Sequence, residues 1–392
     1  MKTAAKLLVW VVLLAVFGTA FAQTIRIGAV ASATGPASAL GEPEANTFRL
    51  LQDQLNEAGG IAGVPVEIIF LDDATDTSQA VTNVRRLIDE NEVHAVICCT
   101  ITANSLAIID TVQEAEVPTV SMAASASIIE PVEERKWVFK TPQTDRLMIQ
   151  GIVEDMQAKG FGSVAFLGLD DAYGEGGLTE FQTLANETGI TVTTTERYGR
   201  NDTNVTPQAL RAVSSQPDAV LVWGVVRDSA LVVNALRDRG YEGQVYVSHG
   251  TGNPEFLQLG GDAIEGTLLP IGPMIVAEQL PDDSEIKPVA LEYIAAYEAE
   301  FGEGTASTFG GHAQDAVKLL ELAVTQVIES GADLDDVAAA RTAIRDALED
   351  AEPYVGIGGV FDFTAEDHLG LDDRALVLVE IRDNTWTLAD GE

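Results

Sequence analysis

Short apolar runs alternate with amphipathic stretches along most of the chain, and this alternation predicts the fold class. Four predicted strands open the sequence: TIRIGAVA (24–31), VEIIFLDD (66–73), HAVICC (94–99) and VPTVSM (117–122). After Thr141-Pro142 the pattern restarts, with further strands predicted at 163–169, 190–198, 218–224 and 244–250. Continuous apolar strands that alternate with helices are typical of parallel sheets covered on both faces. The sequence therefore predicts an α/β protein with two doubly wound parallel-sheet lobes.

Helical periodicity fills the segments between these strands. Helices are predicted near 43–56, 78–91, 103–115, 145–158, 177–187, 206–214 and 228–239, and three longer ones near 284–301, 307–330 and 335–349. The segment 265–276 contains two prolines and is interpreted as a crossover rather than a core element. Strand-like pieces follow at 358–363, 374–381 and 384–388.

The first 22 residues have the pattern of a secretory signal peptide. Lys2 and Lys6 precede an apolar stretch at 7–17, and Ala20-Phe21-Ala22 resembles a cleavage site. The alternative is an uncleaved anchor, but a bilayer span needs about 20 apolar residues, and this stretch is shorter. We expect export to the periplasm, with no membrane insertion after cleavage.

Length and charge narrow the class of protein further. A chain of 392 residues is too long for one hydrophobic core and suggests two domains. Its hydrophobic content of 46% is enough to form both cores. Its net charge of −38 becomes −40 when Lys2 and Lys6 are removed. Nucleic acids and anionic membranes are polyanions, so this charge argues against both as partners.

The chain has two cysteines, Cys98 and Cys99, which are neighbours in an apolar run. Adjacent cysteines rarely satisfy disulfide geometry, so we expect two buried thiols, with a vicinal disulfide as the alternative.

Candidate binding residues lie at the carboxyl ends of the predicted strands, where open α/β sheets bind ligands. After HAVICC, Thr102 and Ala103 open a helix whose amides suit a carboxylate or another small anion, with ordinary N-capping by Thr102 or Asn104 as the alternative. After VPTVSM come Ala123 and Ser125, small enough for close approach of a ligand but compatible with a plain turn. Other strand ends contribute Tyr173, Val225 and His249, although a lone histidine is more often a loop residue. Tyr173 beside flexible glycine is interpreted as a lid.

Recognised catalytic and metal-binding motifs are absent from the sequence. There is no G-x-S-x-G elbow, P-loop or H-E-x-x-H, and the acids at Asp170-Asp171 lack the spacing of a calcium loop. We therefore expect a binding protein rather than an enzyme, without a cofactor or a metal.

At these same loops the sequence resembles the branched-chain amino acid binding proteins of ABC importers. The resemblance is carried by IGAVASATGPASALGEPEANTFRLLQDQLNEAGGIAGVPVEIIFLDDATD, by DDAYGEGGLTEFQ and by FGGHAQDAVKLLE. It implies the type I periplasmic-binding fold, a Venus flytrap whose three-crossing hinge passes near 141–144, 270–274 and 356–359. Lobe 1 would then comprise 23–142 plus 273–357, and lobe 2 would comprise 143–272 plus 358–392.

The resemblance also implies a site, and this chain departs from it. The ligand's carboxylate would be held at Thr102 and at 123–125, its ammonium partly by the carbonyl of Ala123, and Tyr173 would close over it. The acid that pairs the ammonium falls at His249, while two family tyrosines fall at Val225 and Leu40, and the positions of the usual lobe-1 disulfide fall near Thr75 and Ile101. The residues that would hold the carboxylate are retained, whereas those that would hold the ammonium are altered. Because a buried cation needs a paired charge, loss of the acid removes much of the reason to bind an ammonium.

The implied partners are a small-molecule ligand and the membrane permease of an importer, with the chain itself a monomer. The ligand is either an amino acid or a carboxylic acid or amide without an α-ammonium. The alternative function is a sensor subunit of the same fold.

Overall fold

The computed structural model describes residues 23–389, so the predicted signal peptide lies outside the described residues. The strands within this range are β1 (Ile25–Ala31), β2 (Val66–Asp72), β3 (Ala95–Cys98), β4 (Thr119–Ser121), β5 (Val138–Lys140), β6 (Ser163–Leu169), β7 (Thr191–Tyr198), β8 (Ala219–Trp223), β9 (Gln244–Val247), β10 (Leu268–Ile271), β11 (Tyr354–Val355), β12 (Val360–Phe361), β13 (Val377–Arg382) and β14 (Thr385–Leu388). The α-helices are α1 (Ser38–Glu57), α2 (Thr77–Asp89), α3 (Thr102–Glu114), α4 (Asp145–Ala158), α5 (Ala172–Thr188), α6 (Thr206–Ser214), α7 (Val226–Asp238), α8 (Pro254–Gly260), α9 (Ile286–Phe301), α10 (Thr308–Glu329) and α11 (Val337–Glu349).

The first sheet is parallel throughout, with strand order β2-β1-β3-β4-β5. Strands β1, β3, β4 and β5 are almost entirely buried because helices cover both faces, whereas the edge strand β2 is mostly half-buried. One face packs on α1 and α10 through residues such as Phe48, Leu51 and Leu320, and the other packs on α2 and α3 through Val84 and Ile108. Strand β5 was not predicted from the sequence.

The second sheet has the order β14-β13-β10-β9-β8-β6-β7, in which β13 and β14 are antiparallel to the rest. Strand β10 lies between β9 and β13, so the interpretation of 265–276 as a crossover outside the core is wrong. Leu268 to Ile271 are all buried, and the chain leaves the sheet only at Gly272. The two doubly wound sheets confirm the predicted α/β fold.

Three chain segments that link the two sheets meet at Gln143. Gln143 lies between β5 and α4, and its Nε2 donates to the carbonyl oxygens of Gly358 at 2.8 Å and Ala375 at 3.0 Å. A Cβ placed on Gly272, just after β10, would come within 2.8 Å of the same nitrogen. The segment 360–371 packs against the first sheet, since Phe361 and Phe363 join its core and the His368 ring stacks on Phe139 at 4.0 Å. The lobe boundaries stay a prediction.

Helix α1 begins at Ser38, five residues before the predicted start, and contains Pro43. Proline has no amide hydrogen, so the carbonyl of Ala39, four residues earlier, loses its helical partner. The side chain of Asn253 supplies the replacement, with Nδ2 2.6 Å from that oxygen. Asn253 follows β9, so this bond joins the two sides of the molecule.

The expectation of two buried thiols is wrong. Cys98 and Cys99 are joined in a vicinal disulfide at the end of β3, and the peptide bond between them is cis. Both residues are fully buried beside α2 and α3.

Candidate functional site

A cavity lies between the carboxyl ends of the two parallel sheets, where the fold places ligand sites. Its volume is about 40 Å³. The first-sheet side lines it with residues of α1, the β3–α3 loop, the segment after β4, the first linking segment and α10: Leu40, Thr100, Ile101, Thr102, Met122, Ala123, Ala124, Pro142, Phe309 and His312. The second-sheet side contributes loops after four strands: Tyr173, Arg200, Val225, His249 and Gly250.

Six of the eight residues singled out from the sequence line this cavity: Leu40, Thr102, Ala123, Tyr173, Val225 and His249. Ala103 is in the first turn of α3 but does not line it. Ser125 lies in a wider, solvent-open cleft beside the cavity, where its hydroxyl is 2.9 Å from that of Ser127. The structure therefore brings six residues that are far apart in sequence together in one cavity, and their role in binding stays a prediction.

The N-terminus of α3 meets the cavity without a side-chain cap. The N-cap residue is Ile101, which cannot accept a hydrogen bond through its side chain. The first-turn amides of a helix have no partner within the helix, and the dipole adds partial positive charge there. The buried hydroxyl of Thr102 lies at the same point. The ordinary N-cap role considered for Thr102 does not apply, because Thr102 is inside the helix. These groups suit a carboxylate.

Tyr173 is held rigidly rather than on a flexible loop. It occupies the first turn of α5, and its hydroxyl donates to Ser248 Oγ at 2.9 Å, which donates in turn to the carbonyl of Gly224 at 2.6 Å. The glycines that follow it permit close packing: a Cβ on Gly174 would be 1.8 Å from the Leu169 carbonyl oxygen. The glycines beside Tyr173 are therefore helical rather than part of a flexible loop, and its role as a lid stays a prediction.

His249 is the least satisfied polar residue of the cavity. Its ring is 6% exposed and lies edge-on to Tyr173 and Trp223, with centroids 6.0 and 5.7 Å away. Neither ring nitrogen has a hydrogen-bond partner among the described residues. Burial, with smaller contributions from Lys140 and His312, lowers its pKa to about 3, so the ring is neutral at pH 7. His312 is also buried, with its pKa lowered to about 3 by burial and Lys140.

Arg200 was missed by sequence reasoning. It follows β7, and its Nε and Nη2 both lie 2.7 Å from Asp171 Oδ2. The other oxygen of Asp171 caps α5 by accepting from the amides of Tyr173 and Gly174 at 3.0 and 3.1 Å. Arg200 Nη1 is buried without a partner in the part of the chain described. The signal that could have found it was its position, two residues beyond a strand end.

A buried lysine and a buried aspartate flank the first linking segment, Lys140 at the end of β5 and Asp145 at the start of α4. The ammonium of Lys140 donates to the carbonyl of Pro142, and burial lowers its pKa to about 7. Asp145 has both carboxylate oxygens without a hydrogen-bond partner among residues 23–389, and burial raises its pKa to about 7 against the opposing charge of Lys140. The charge of Lys140 contributes to the lowered pKa of both His249 and His312.

Within residues 23–389, no cluster of three or more His, Cys, Asp or Glu side chains has the geometry of a metal site. None of the helices in that range is long and apolar enough to cross a bilayer.

Comparisons with known proteins agree with this architecture. A family model described as periplasmic binding protein matches residues 24–385. Leu/Ile/Val-binding protein homolog 3 of Brucella melitensis is 26% identical over 334 residues, which cover 84% of this chain and 85% of that protein. An extracellular ligand-binding receptor from Rhodopseudomonas palustris HaA2 has a TM-score of 0.88 and 35% identity, over 93% of this chain and 99% of that one. The branched-chain amino acid transporter substrate binding protein LivJ from Streptococcus pneumoniae, solved with isoleucine, has a TM-score of 0.79 at 22% identity, over 93% and 98% of the two chains.

The chain belongs to the periplasmic binding protein family, since the family model spans nearly all of the described residues. The resemblance to branched-chain amino acid binding proteins is confirmed.

Proposed function

We propose that this chain is the periplasmic receptor of an ABC importer and that it captures a small organic carboxylate between two lobes. The family and the secretory pattern of residues 1–22 support the export and transport part of the proposal. The first lobe would carry the first sheet and the second lobe the second sheet. Because 360–371 packs on the first sheet, we place the third hinge crossing after 371 rather than at 356–359.

The composition of the cavity carries the ligand part of the proposal. Its described lining contains no carboxylate, and the position where the family's acid falls is occupied by His249, neutral at pH 7. An ammonium buried there would have no charged partner, at a cost of several kcal/mol. The uncapped start of α3 is well placed to accept a carboxylate.

A branched-chain amino acid is the second candidate, favoured by the name of the Brucella melitensis relative. Leucine and 4-methylpentanoate separate the two candidates, because they share a carbon skeleton and carboxylate and differ only in the α-ammonium. We expect 4-methylpentanoate to bind at least tenfold more tightly than leucine.

The test is a thermal-shift screen of the chain from Gln23 onward, followed by isothermal titration calorimetry. Monocarboxylates, neutral amides and amino acids are compared, since a ligand at 100 times its Kd adds about 2.7 kcal/mol of stability. The matched variant His249→Glu returns an acid to the site and should shift the preference toward leucine. Stabilisation by zwitterionic amino acids alone would refute the carboxylate proposal.

Transport is tested separately from ligand identity. Deletion of the gene should abolish uptake of the bound carboxylate, and the intact chain should restore it. Normal uptake with a lost behavioural or transcriptional response would favour the sensor function instead.

A further inference from the structure

We propose that Arg200 and His249 form a second polar subsite for an uncharged hydroxyl group, so that the ligand is a monocarboxylate with a hydroxyl at its opposite end. This inference rests on the proposed function, which places the carboxylate at the start of α3. It adds two specificity-determining residues, Arg200 and His249, and it specifies a hydroxyl as the group at the ligand's other end.

Arg200 is positioned to donate to a ligand. Asp171 occupies Nε and Nη2, each 2.7 Å from Oδ2, and thereby fixes the plane of the guanidinium. Nη1 is buried with no partner among the described residues, and Arg200 lines the cavity. A buried donor left unpaired is costly, so a ligand oxygen that meets it gains affinity.

The charge balance at this end disfavours a second carboxylate. Asp171 already neutralises Arg200 at hydrogen-bond distance. Asp228 is also close enough for the arginine to act on its carboxyl, whose pKa burial raises to about 6 while Arg200 opposes the shift. A ligand anion at Nη1 would meet a guanidinium with a carboxylate already bound, and it would be repelled by Asp171.

His249 supplies the complementary half of the subsite. A neutral imidazole has one N–H donor and one acceptor nitrogen, and neither has a partner among residues 23–389. A hydroxyl can accept from Arg200 and donate to the acceptor nitrogen of His249, whereas a carboxylate can only accept. Both side chains line the same cavity, so a hydroxyl that reached both would make two complementary bonds.

The remainder of the lining suits an apolar spacer between the two polar ends. Leu40, Met122, Val225 and Phe309 come from both sides of the cavity. The carboxylate subsite is on the first-sheet side and the Arg200 subsite on the second-sheet side, so one ligand would contact both lobes.

The experiment compares two matched ligand series by calorimetry on the chain from Gln23 onward. The rigid series is benzoate, 4-hydroxybenzoate and terephthalate, and the flexible series is hexanoate, 6-hydroxyhexanoate and adipate. In the series that fits the cavity, the hydroxy acid should bind roughly tenfold to a hundredfold more tightly than the unsubstituted acid, the range for a hydrogen bond to a charged group. The dicarboxylate should bind no better than the unsubstituted acid.

Variants assign the preference to this subsite. Arg200→Lys keeps a cation to pair with Asp171 but loses the planar guanidinium and its Nη1 donor. His249→Phe keeps an aromatic ring against Trp223 but loses both ring nitrogens. Either should reduce the hydroxyl preference to within about threefold of unity, with the affinity for the unsubstituted acid little changed. The matched control Arg197→Lys alters an exposed arginine of β7 that pairs with Glu175 outside the cavity, and it should change nothing.

The outcomes separate the two proposals. Tightest binding of a dicarboxylate, or a hydroxyl preference that survives Arg200→Lys in a folded protein, would overturn the subsite while leaving a carboxylate receptor in place. Binding of leucine to the exclusion of both series would overturn the proposed ligand class itself.

Discussion

Replacing Gln143 with methionine tests how the segments between the two sheets are held together. The substitution keeps the length of the side chain but removes the Nε2 that donates to the carbonyls of Gly358 and Ala375. Both carbonyls would be left without this donor in a buried environment, since Gln143 is 1% exposed. An unsatisfied buried polar group costs roughly 1–3 kcal/mol, and this substitution takes the same donor away from two buried carbonyl oxygens. We expect a loss of about 2–4 kcal/mol in the free energy of unfolding.

Urea denaturation followed by tryptophan fluorescence measures this loss. The matched control is Gln150→Met, because the Gln150 amide donates to the exposed Glu154 at 2.9 Å and to no other side chain of residues 23–389, so its removal should change stability by less than about 0.5 kcal/mol. A Gln143→Met protein within that margin of the wild type would show that the linking segments are held by packing alone.

Two further predictions concern pH and closure. His249 has a folded-state pKa of about 3, below its usual 6.5, so between these values the unfolded chain takes up a proton that the folded chain does not, and stability falls as pH falls. His249→Gln should lose less stability from pH 6.5 to pH 4 than the wild type, by up to about 1.4 kcal/mol per pH unit in urea titrations, and parallel curves would contradict the assignment. Asn253→Asp keeps the cap that accepts from the Glu255 amide but loses the donor to Ala39, so the Kd of the bound carboxylate should rise about tenfold. The free energy of unfolding should also fall by about 1–3 kcal/mol, because the Ala39 carbonyl loses its donor. Calorimetry on this variant tests the bond across the cavity, and an unchanged Kd would remove it from closure.

The strands were predictable where burial on both faces leaves a continuous apolar run. The boundaries at 163–169 and those of α4 and α6 agree with the structure because the flanking residues end each pattern sharply. Strand β10 was not predicted because proline is disfavoured inside a sheet. In the structure Pro270 nevertheless lies in β10, opposite Leu378 of the antiparallel strand β13. Strand β5 is three residues long and contains a buried lysine, so its pattern carries little signal.

The first-sheet half of the cavity was more accessible to sequence reasoning than the second. Loops that follow strands of a parallel sheet converge by topology alone, which brings Thr102 and Ala123 together. Asp171 lacks the spacing of a calcium loop, and its partner is instead a cation 29 residues away along the chain. Pairing of this kind depends on the distance between the ends of β6 and β7, and spacing along the chain does not encode it.

The hold of Asp171 on Arg200 has a consequence for the cost of recognition. A free arginine side chain loses roughly 2 kcal/mol of conformational entropy when it is immobilised. Here the carboxylate that orders the guanidinium is itself fixed by two amides of α5, so that loss is incurred during folding. A ligand then binds a donor that is already oriented, so the free energy of its hydrogen bond is not reduced by the entropic cost of ordering Arg200.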